Sequence, residues 1–254
     1  MAGSFGNGVT DSLVFSLGTV ATSSGTVVMR NNLSWSPGAA GLRVFWSLLS
    51  GTDNTTSLKF YNNGSAQFTY ESQTAGVNFS DTGAFTSGTW QTWIFVWNTA
   101  TPERTFYVDN VSKGTSSTGF SRGNCDTLWI GNNNGGHSFS IYGSSADFGL
   151  YLGGTFTAAD RAAYQAGYAA NTIRPDILVA PVPMIRTLGT NLRGAAGTVT
   201  GATAAVHPRV IMPRRRPIGF AGTSPPPPPP STYIGARFQM IGSGIQQFSG
   251  GRAA

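Results

Sequence analysis

The chain has 254 residues, of which 34 are glycine, 14 are proline and only 10% are charged; this excludes a packed helical bundle and points to many short strands joined by turns. A single cysteine, Cys125, excludes an internal disulfide framework. The net charge of +6 hides an asymmetry: residues 1–176 hold all ten acidic residues and eight basic ones, whereas residues 177–254 hold eight arginines, no lysine and no acid.

Alternation of apolar and polar residues starts early. Leu13, Phe15 and Leu17 share one face of a strand, Val28 and its neighbours follow, and Leu42, Val44, Trp46 and Leu48 face one way with Arg43 and Ser47 opposite. Turn-rich breaks such as Ser36-Pro-Gly and Ser50-Gly-Thr-Asp-Asn separate them. Leu58 and Phe60 lead into Asn62-Asn63-Gly64, a hairpin signal, after which Phe68 and Tyr70 resume the alternation. The pattern predicts a meandering antiparallel sheet.

The densest cluster of large side chains is Trp90-Gln-Thr-Trp93-Ile-Phe-Val-Trp97, followed by Thr105-Phe-Tyr-Val-Asp-Asn110. Trp93, Phe95 and Trp97 lie on one face and Ile94 and Val96 on the other, as a strand covered on both sides requires. Leu128-Trp-Ile130, the loop Gly131-Asn-Asn-Asn-Gly-Gly136, Ser138-Phe-Ser-Ile-Tyr142 and the face Phe148, Leu150, Leu152 come next. Thr157-Ala-Ala-Asp160 reads as a capping box and predicts a helix over 158–168, which needs a sheet to pack on.

This order resembles the concanavalin A-like lectin/glucanase jelly roll, with the laminin-G-like variety nearest. The Trp-containing strand, Tyr107-Val-Asp109-Asn110, Ile130-Gly131 and the small capped helix carry the resemblance, over roughly residues 5–172. It implies an all-β antiparallel jelly-roll sandwich with one short helix, spanning residues 1–175. Members of this family bind glycans, bind proteins, hydrolyse polysaccharides or serve as structural modules, so the fold alone does not select a function. Hydrolases of this fold carry clustered carboxylates in a Glu-x-Asp-x-Glu strand, because one must act as nucleophile and another as acid and base. Glu71 and Glu103 are the only glutamates and lie far apart, so no enzyme is expected. A glycan-binding reading would use Asp81, Asp109 or Asp126 with Asn132, Asn133 and Asn134 at a loop rim, and Trp129 or Tyr142 stacked on a sugar. The plainer reading, which the sequence favours, has these asparagines building turns and these aromatics filling the core. No cofactor or metal is expected: His137 and His207 are isolated, Cys125 reads as a buried thiol, and no phosphate-binding glycine loop is present.

Residues 176–254 read as an extended basic tail. Proline punctuates short apolar pieces, Arg214-Arg215-Arg216 forms a basic knot, and Pro225 to Pro230 form a polyproline helix spanning about 19 Å. The apolar content predicts docking onto neighbouring subunits, with Arg209, Arg214, Arg215, Arg216, Tyr233 and Phe238 as contacts. The arginines are spread thinly, so an acidic protein surface is favoured over nucleic acid. No stretch of 18 apolar residues exists and the first residues lack the basic and apolar regions of a secretory signal, so a soluble protein assembled in a cytoplasm is expected, with the sequons at Asn32, Asn54, Asn63, Asn78 and Asn110 unmodified. A jelly roll with such a tail resembles bacteriophage virion components. The expectation is a non-enzymatic decoration, head-fibre or tail protein in a homo-oligomeric or symmetric assembly; the alternative is a glycan-binding module for host-surface adhesion.

Overall fold

A computed structural model describes residues 2–5, 11–39, 41–50, 53–72, 75–80, 83–101, 103–117, 124–131, 141–182, 197–200, 202–205, 211, 239–241 and 244–246. The chain divides into two compact units, residues 1–213 and 214–254.

The first unit is an antiparallel β-sandwich. Its strands are β1 (Ala2–Phe5), β2 (Ser12–Ala21), β3 (Ser24–Leu33), β4 (Leu42–Ser50), β5 (Asp53–Asn63), β6 (Gln67–Ser72), β7 (Ala75–Ser80), β8 (Trp90–Asn98), β9 (Glu103–Val108), β10 (Val111–Ser116), β11 (Asn124–Ile130), β12 (Gly143–Leu152), β13 (Leu178–Val182), β14 (Gly197–Thr200) and β15 (Thr203–Ala205). The first sheet has eight strands in the order β10-β9-β8-β3-β12-β1-β15, with β13 also paired to β12. The second has seven, β14-β2-β11-β4-β5-β6-β7, and its β4 to β7 run is the predicted meander. In the second unit, β16 (Gln239–Ile241) pairs antiparallel with β17 (Gly244–Gln246).

The core lies between the two sheets. Strand β8 sends Trp93, Phe95 and Trp97 into it, where they meet Phe45, Trp46, Phe60, Phe68 and Phe106, all buried. Phe95 and Phe106 stack at 5.1 Å, Phe45 and Trp93 at 4.9 Å, and Trp46 and Trp97 at 5.9 Å. Such offset and edge-on pairs add packing energy beyond the area they bury. Cys125 is buried here too. A bulge in β4 shifts the register between Val44 and Trp46. The single face predicted for Leu42, Val44, Trp46 and Leu48 is therefore split, and Phe45 and Trp46 both enter the core.

Ile94 and Val96, on the other side of β8, belong to a second core with Val28, Tyr151, Phe156 and Tyr164. Tyr164 comes from α1 (Ala158–Gln165), which packs on the outside of the first sheet. Thr157 and Asp160 form the predicted capping box. The helix ends earlier than the sequence predicts, because Gly167 adopts φ +104° and the N–H groups of Gly167 and Tyr168 bond back to Tyr164 and Ala163.

A buried polar clamp holds the helix and the turn after it to the sheet. Asp147 sits at a bulge of β12 with φ +50°, a conformation aspartate tolerates. Its carboxylate accepts from the Ala170 N–H at 3.1 Å and from Arg30 Nε at 3.4 Å. Arg30 also donates through Nη2 to the Tyr164 and Tyr168 carbonyls, at 2.8 and 3.0 Å. Tyr164 donates its hydroxyl to the Asp147 carbonyl at 2.8 Å, and Tyr151 donates to the Ala170 carbonyl. The chain returns to this spot at Ile211, whose backbone bonds to Gly167 and Ala169.

Three strands lie beyond residue 176, where the sequence analysis begins a tail. Strand β13 extends the first sheet from β12, β14 extends the second from β2, and β15 pairs with β1. Ala180 and Val182 of β13 are fully buried. Ending the chain after Pro213 should leave the melting temperature within about 2 °C of the full chain, whereas ending it after Asp176 should lower it by about 10 °C or more, read by thermal unfolding.

Burial pushes the Asp147 carboxyl up to about 7, and the opposing pull of Arg30 and the Ala170 N–H does not offset it. The other ionisable groups facing it, Tyr164 and Tyr151, are themselves raised by burial and stay neutral. The folded chain thus keeps a proton that the unfolded chain releases near 3.8. Its stabilising contribution is complete below pH about 4 and is lost as pH rises through about 7. Denaturant titrations should show the stability of the parent chain relative to Asp147→Asn falling across that window and flat above it; a difference independent of pH would mean that the carboxyl titrates normally.

Candidate functional site

The inward residues of the second sheet dictate what its outer face carries, because side chains alternate along each strand. Leu13 and Phe15 of β2, Leu128 and Ile130 of β11, Trp46 and Leu48 of β4, Leu58 and Phe60 of β5, and Phe68 and Tyr70 of β6 all enter the core. Their neighbours therefore form rows across the outside. One row follows the register Val14, Trp129, Ser47, Lys59, Glu71. Beside it run Ser16, Thr127 and Leu49 on one flank, and Tyr61, Thr69 and Asn78 on the other.

The middle strands of this face are shielded, and strands further out, β2 and β7, are open. Ser47 and Leu49 are fully buried and Lys59 nearly so, Trp129, Tyr61, Glu71 and Thr127 are half-buried, and Ser16 and Asn78 are exposed. Among the described residues, the Trp129 indole has no hydrogen-bond or ring partner, unlike Trp35 and Trp97, whose indole N–H groups donate to the Ile141 and Thr22 carbonyls. Trp129 is thus a half-buried indole between Val14 and Ser47, with Thr127 and Ser16 in the adjacent row.

A tight polar triad stands beside it. Lys59 Nζ lies 3.0 Å from Glu71 Oε1, Tyr61 donates its hydroxyl to Glu71 Oε2 at 2.7 Å, and the Lys59 ammonium sits 5.1 Å from the Tyr61 ring centroid. Burial and the neighbouring carboxylate hold the Tyr61 hydroxyl well above the ordinary phenol range, so it remains a neutral donor. Thr69 donates to Asn78 at 2.8 Å and Thr127 to Asp126 at 2.8 Å. Asp126 stands at a bulge of β11, between Cys125 and Thr127. Glu103 is on β9 of the other sheet, so the two glutamates do not converge. Among the described residues no three histidine, cysteine, aspartate or glutamate side chains gather as a metal site.

The remaining sequence candidates are dispersed. Tyr142 is 36% exposed with φ +49°, at the entrance to β12 in the first sheet, away from the Trp129 row. Asp109 and Asn110, at φ +49° and +60°, form the two-residue turn between β9 and β10. Both oxygens of the Asp109 carboxylate are engaged, by Gln91 at 2.9 Å and by the Thr92 N–H at 2.9 Å, so it locks the turn. Asn132, Asn133, Asn134, Asp81, His137, His207, Arg209, Arg214, Arg215, Arg216, Tyr233 and Phe238 lie outside the described residues. Sequence reading named Trp129, weighed Glu71 only as a carboxylate for hydrolysis, and missed Lys59 and Tyr61. A two-residue turn at Asn63-Gly64 would have paired Lys59 with Phe68; the loop is longer and centred on Ser65, and that register brings Lys59 and Glu71 opposite each other.

No protein-family model matches the chain, and no curated protein resembles it in sequence. Solved structures do resemble its fold. A Bacteroides ovatus protein described provisionally as carbohydrate-binding superposes with a TM-score of 0.59 and 14% identity, over 80% of this chain and 58% of its own. A heptameric SAP-like pentraxin from Limulus polyphemus superposes with a TM-score of 0.53 and 16% identity, over 78% of this chain and 94% of its own. The chain thus spans little more than half the Bacteroides protein. At these identities the similarity establishes the fold alone, an antiparallel β-sandwich.

Tyr61→Phe should cost about 1–2 kcal/mol of unfolding free energy in urea, because Glu71 loses a charge-assisted bond. An unchanged midpoint would mean that water replaces the hydroxyl at no cost.

Proposed function

We propose that the sandwich is a non-catalytic carbohydrate-binding module that takes its ligand on the outer face of the second sheet. The observation that carries this reading is Trp129, a half-buried indole with no partner among the described residues, on a face where the Thr127 and Ser16 hydroxyls lie in the adjacent row and the Lys59–Glu71 pair lies further along its own. Sugar rings present an apolar face to an aromatic ring and a hydroxyl rim to hydrogen-bonding groups, and this surface offers both. The similarity in fold to a protein described as carbohydrate-binding agrees with it. The separation of Glu71 from Glu103 on different sheets favours binding over hydrolysis.

A place in a virion is the second reading, as the setting in which such a module would be carried. It rests on the composition of residues 214–254, with its arginine knot and six prolines. Co-sedimentation of the chain at fixed stoichiometry with a capsid or tail protein would support it.

Screening the full chain on a broad array of microbial and host-surface glycans should give a defined set of binders. Trp129→Ala should weaken them by about tenfold or more with an unchanged melting temperature, since the ring lies outside the core. A flat array, or a variant that binds as well as the parent, would sink the assignment.

A further inference from the structure

We propose that the ligand of the Trp129 face is an uncharged, extended glycan chain, and that the Lys59–Glu71 pair is the element that discriminates against anionic sugars. This rests on the glycan-binding reading above and specifies its substrate class.

The charge on the face supports the choice. Among the described residues, its charged groups are Lys59, Glu71 and Asp126. The Lys59 side chain is 9% exposed, bound to Glu71 at 3.0 Å, and lies over the Tyr61 ring, whereas the Glu71 side chain is 35% exposed. An incoming sugar therefore meets the carboxylate of the pair before the ammonium. Asp126, half-buried and bonded to Thr127, adds a second negative group beside Trp129. A uronate, sialate or sulfate placed on this surface would have to take Lys59 from Glu71 and leave a partly buried carboxylate without its cation, on a face that also carries Asp126. An uncharged sugar incurs neither cost, and Ser16, Thr127 and Asn78 supply neutral hydrogen-bonding groups on the same face.

The register supports an extended chain. Trp129 on β11 and Tyr61 on β5 are separated by strand β4 and offset by two residues along the strand. Ordinary strand spacing and rise place them about 12 Å apart. That exceeds the width of one pyranose ring, so two rings of one chain, rather than one monosaccharide, can meet both aromatics.

The test is a calorimetric titration of the full chain at about 0.15 M salt, where long-range charge effects are damped. The neutral probes are cello-, manno- and xylo-oligosaccharides of increasing length; the anionic probes are oligogalacturonides and sialyllactose. The expected result is affinity that rises with length among neutral chains and is weaker by about tenfold or more for anionic ones. Glu71→Gln, which removes the carboxylate that neutralises Lys59, should narrow that ratio, and Asp126→Asn should do so independently if Glu71→Gln fails to fold. A preference for the anionic probes, a monosaccharide that binds as well as the longer chains, or a ratio that neither variant changes would overturn this inference and leave the glycan-binding reading standing. No binding to either class would overturn both.

Discussion

Interlocking of aromatic rings from two facing sheets is the constraint on which the rest of the molecule depends. Trp93, Phe95 and Trp97 of one sheet can meet Phe45, Trp46, Phe60 and Phe68 of the other only in one register of each strand. A slip of one residue would exchange the faces of a whole strand. Cross-sheet polar contacts follow the same alignment. Arg104, fully buried on β9, donates to the Tyr70 carbonyl across the sandwich at 3.3 Å, and its guanidinium is held below its ordinary range by burial. Packing in the core thus decides which side chains point outward. The row from Val14 to Glu71 is the reverse side of the row that fills the interior.

Burial is uneven on the two outer faces, and this separates their roles. The first sheet is covered by α1 and the turn after it, through an apolar layer and the Arg30–Asp147 clamp. That clamp is built more from carbonyls and N–H groups than from charge. Arg30 reaches two backbone carbonyls as well as Asp147, so its positive charge keeps acceptors when the carboxyl holds a proton. The second sheet instead presents small polar groups around a few aromatics, with Lys59 and Glu71 paired with each other. One face is committed to stability, and the other is the one proposed above to take a ligand.

The sequence made legible what is encoded at short range. The two faces of β8 follow from simple alternation, and the start of α1 follows from Thr157 and Asp160 three residues apart. The turn at Asp109-Asn110 follows from residues that accept positive φ. Features that depend on distant partners did not show. The first half of β12, Gly143-Ser-Ser-Ala146, has no apolar alternation and is a strand because β1 and β3 pair with it. Strands β13 to β15 contain Pro181, Gly197 and several alanines and threonines, a composition read as tail, yet sheet edges recruit them. At Gly197 a side chain would collide with the Phe15 ring, so the residue that weakened the strand signal is the one that fits there. The site divides the same way: Trp129 was recognisable as a type of residue, whereas its neighbours were determined by register.

The return of the chain to Ile211 has a mechanical consequence. Its backbone is fastened to the loop that ends α1 by two hydrogen bonds, at 2.6 Å to the Gly167 carbonyl and 2.9 Å from the Ala169 N–H, and it runs parallel to Tyr168. Tension applied through residues beyond 213 enters the sandwich at this fastening before it can reach the edge strand β15. The load falls first on the loop after α1, whose two hydrogen bonds to Ile211 must break before the pull reaches β15.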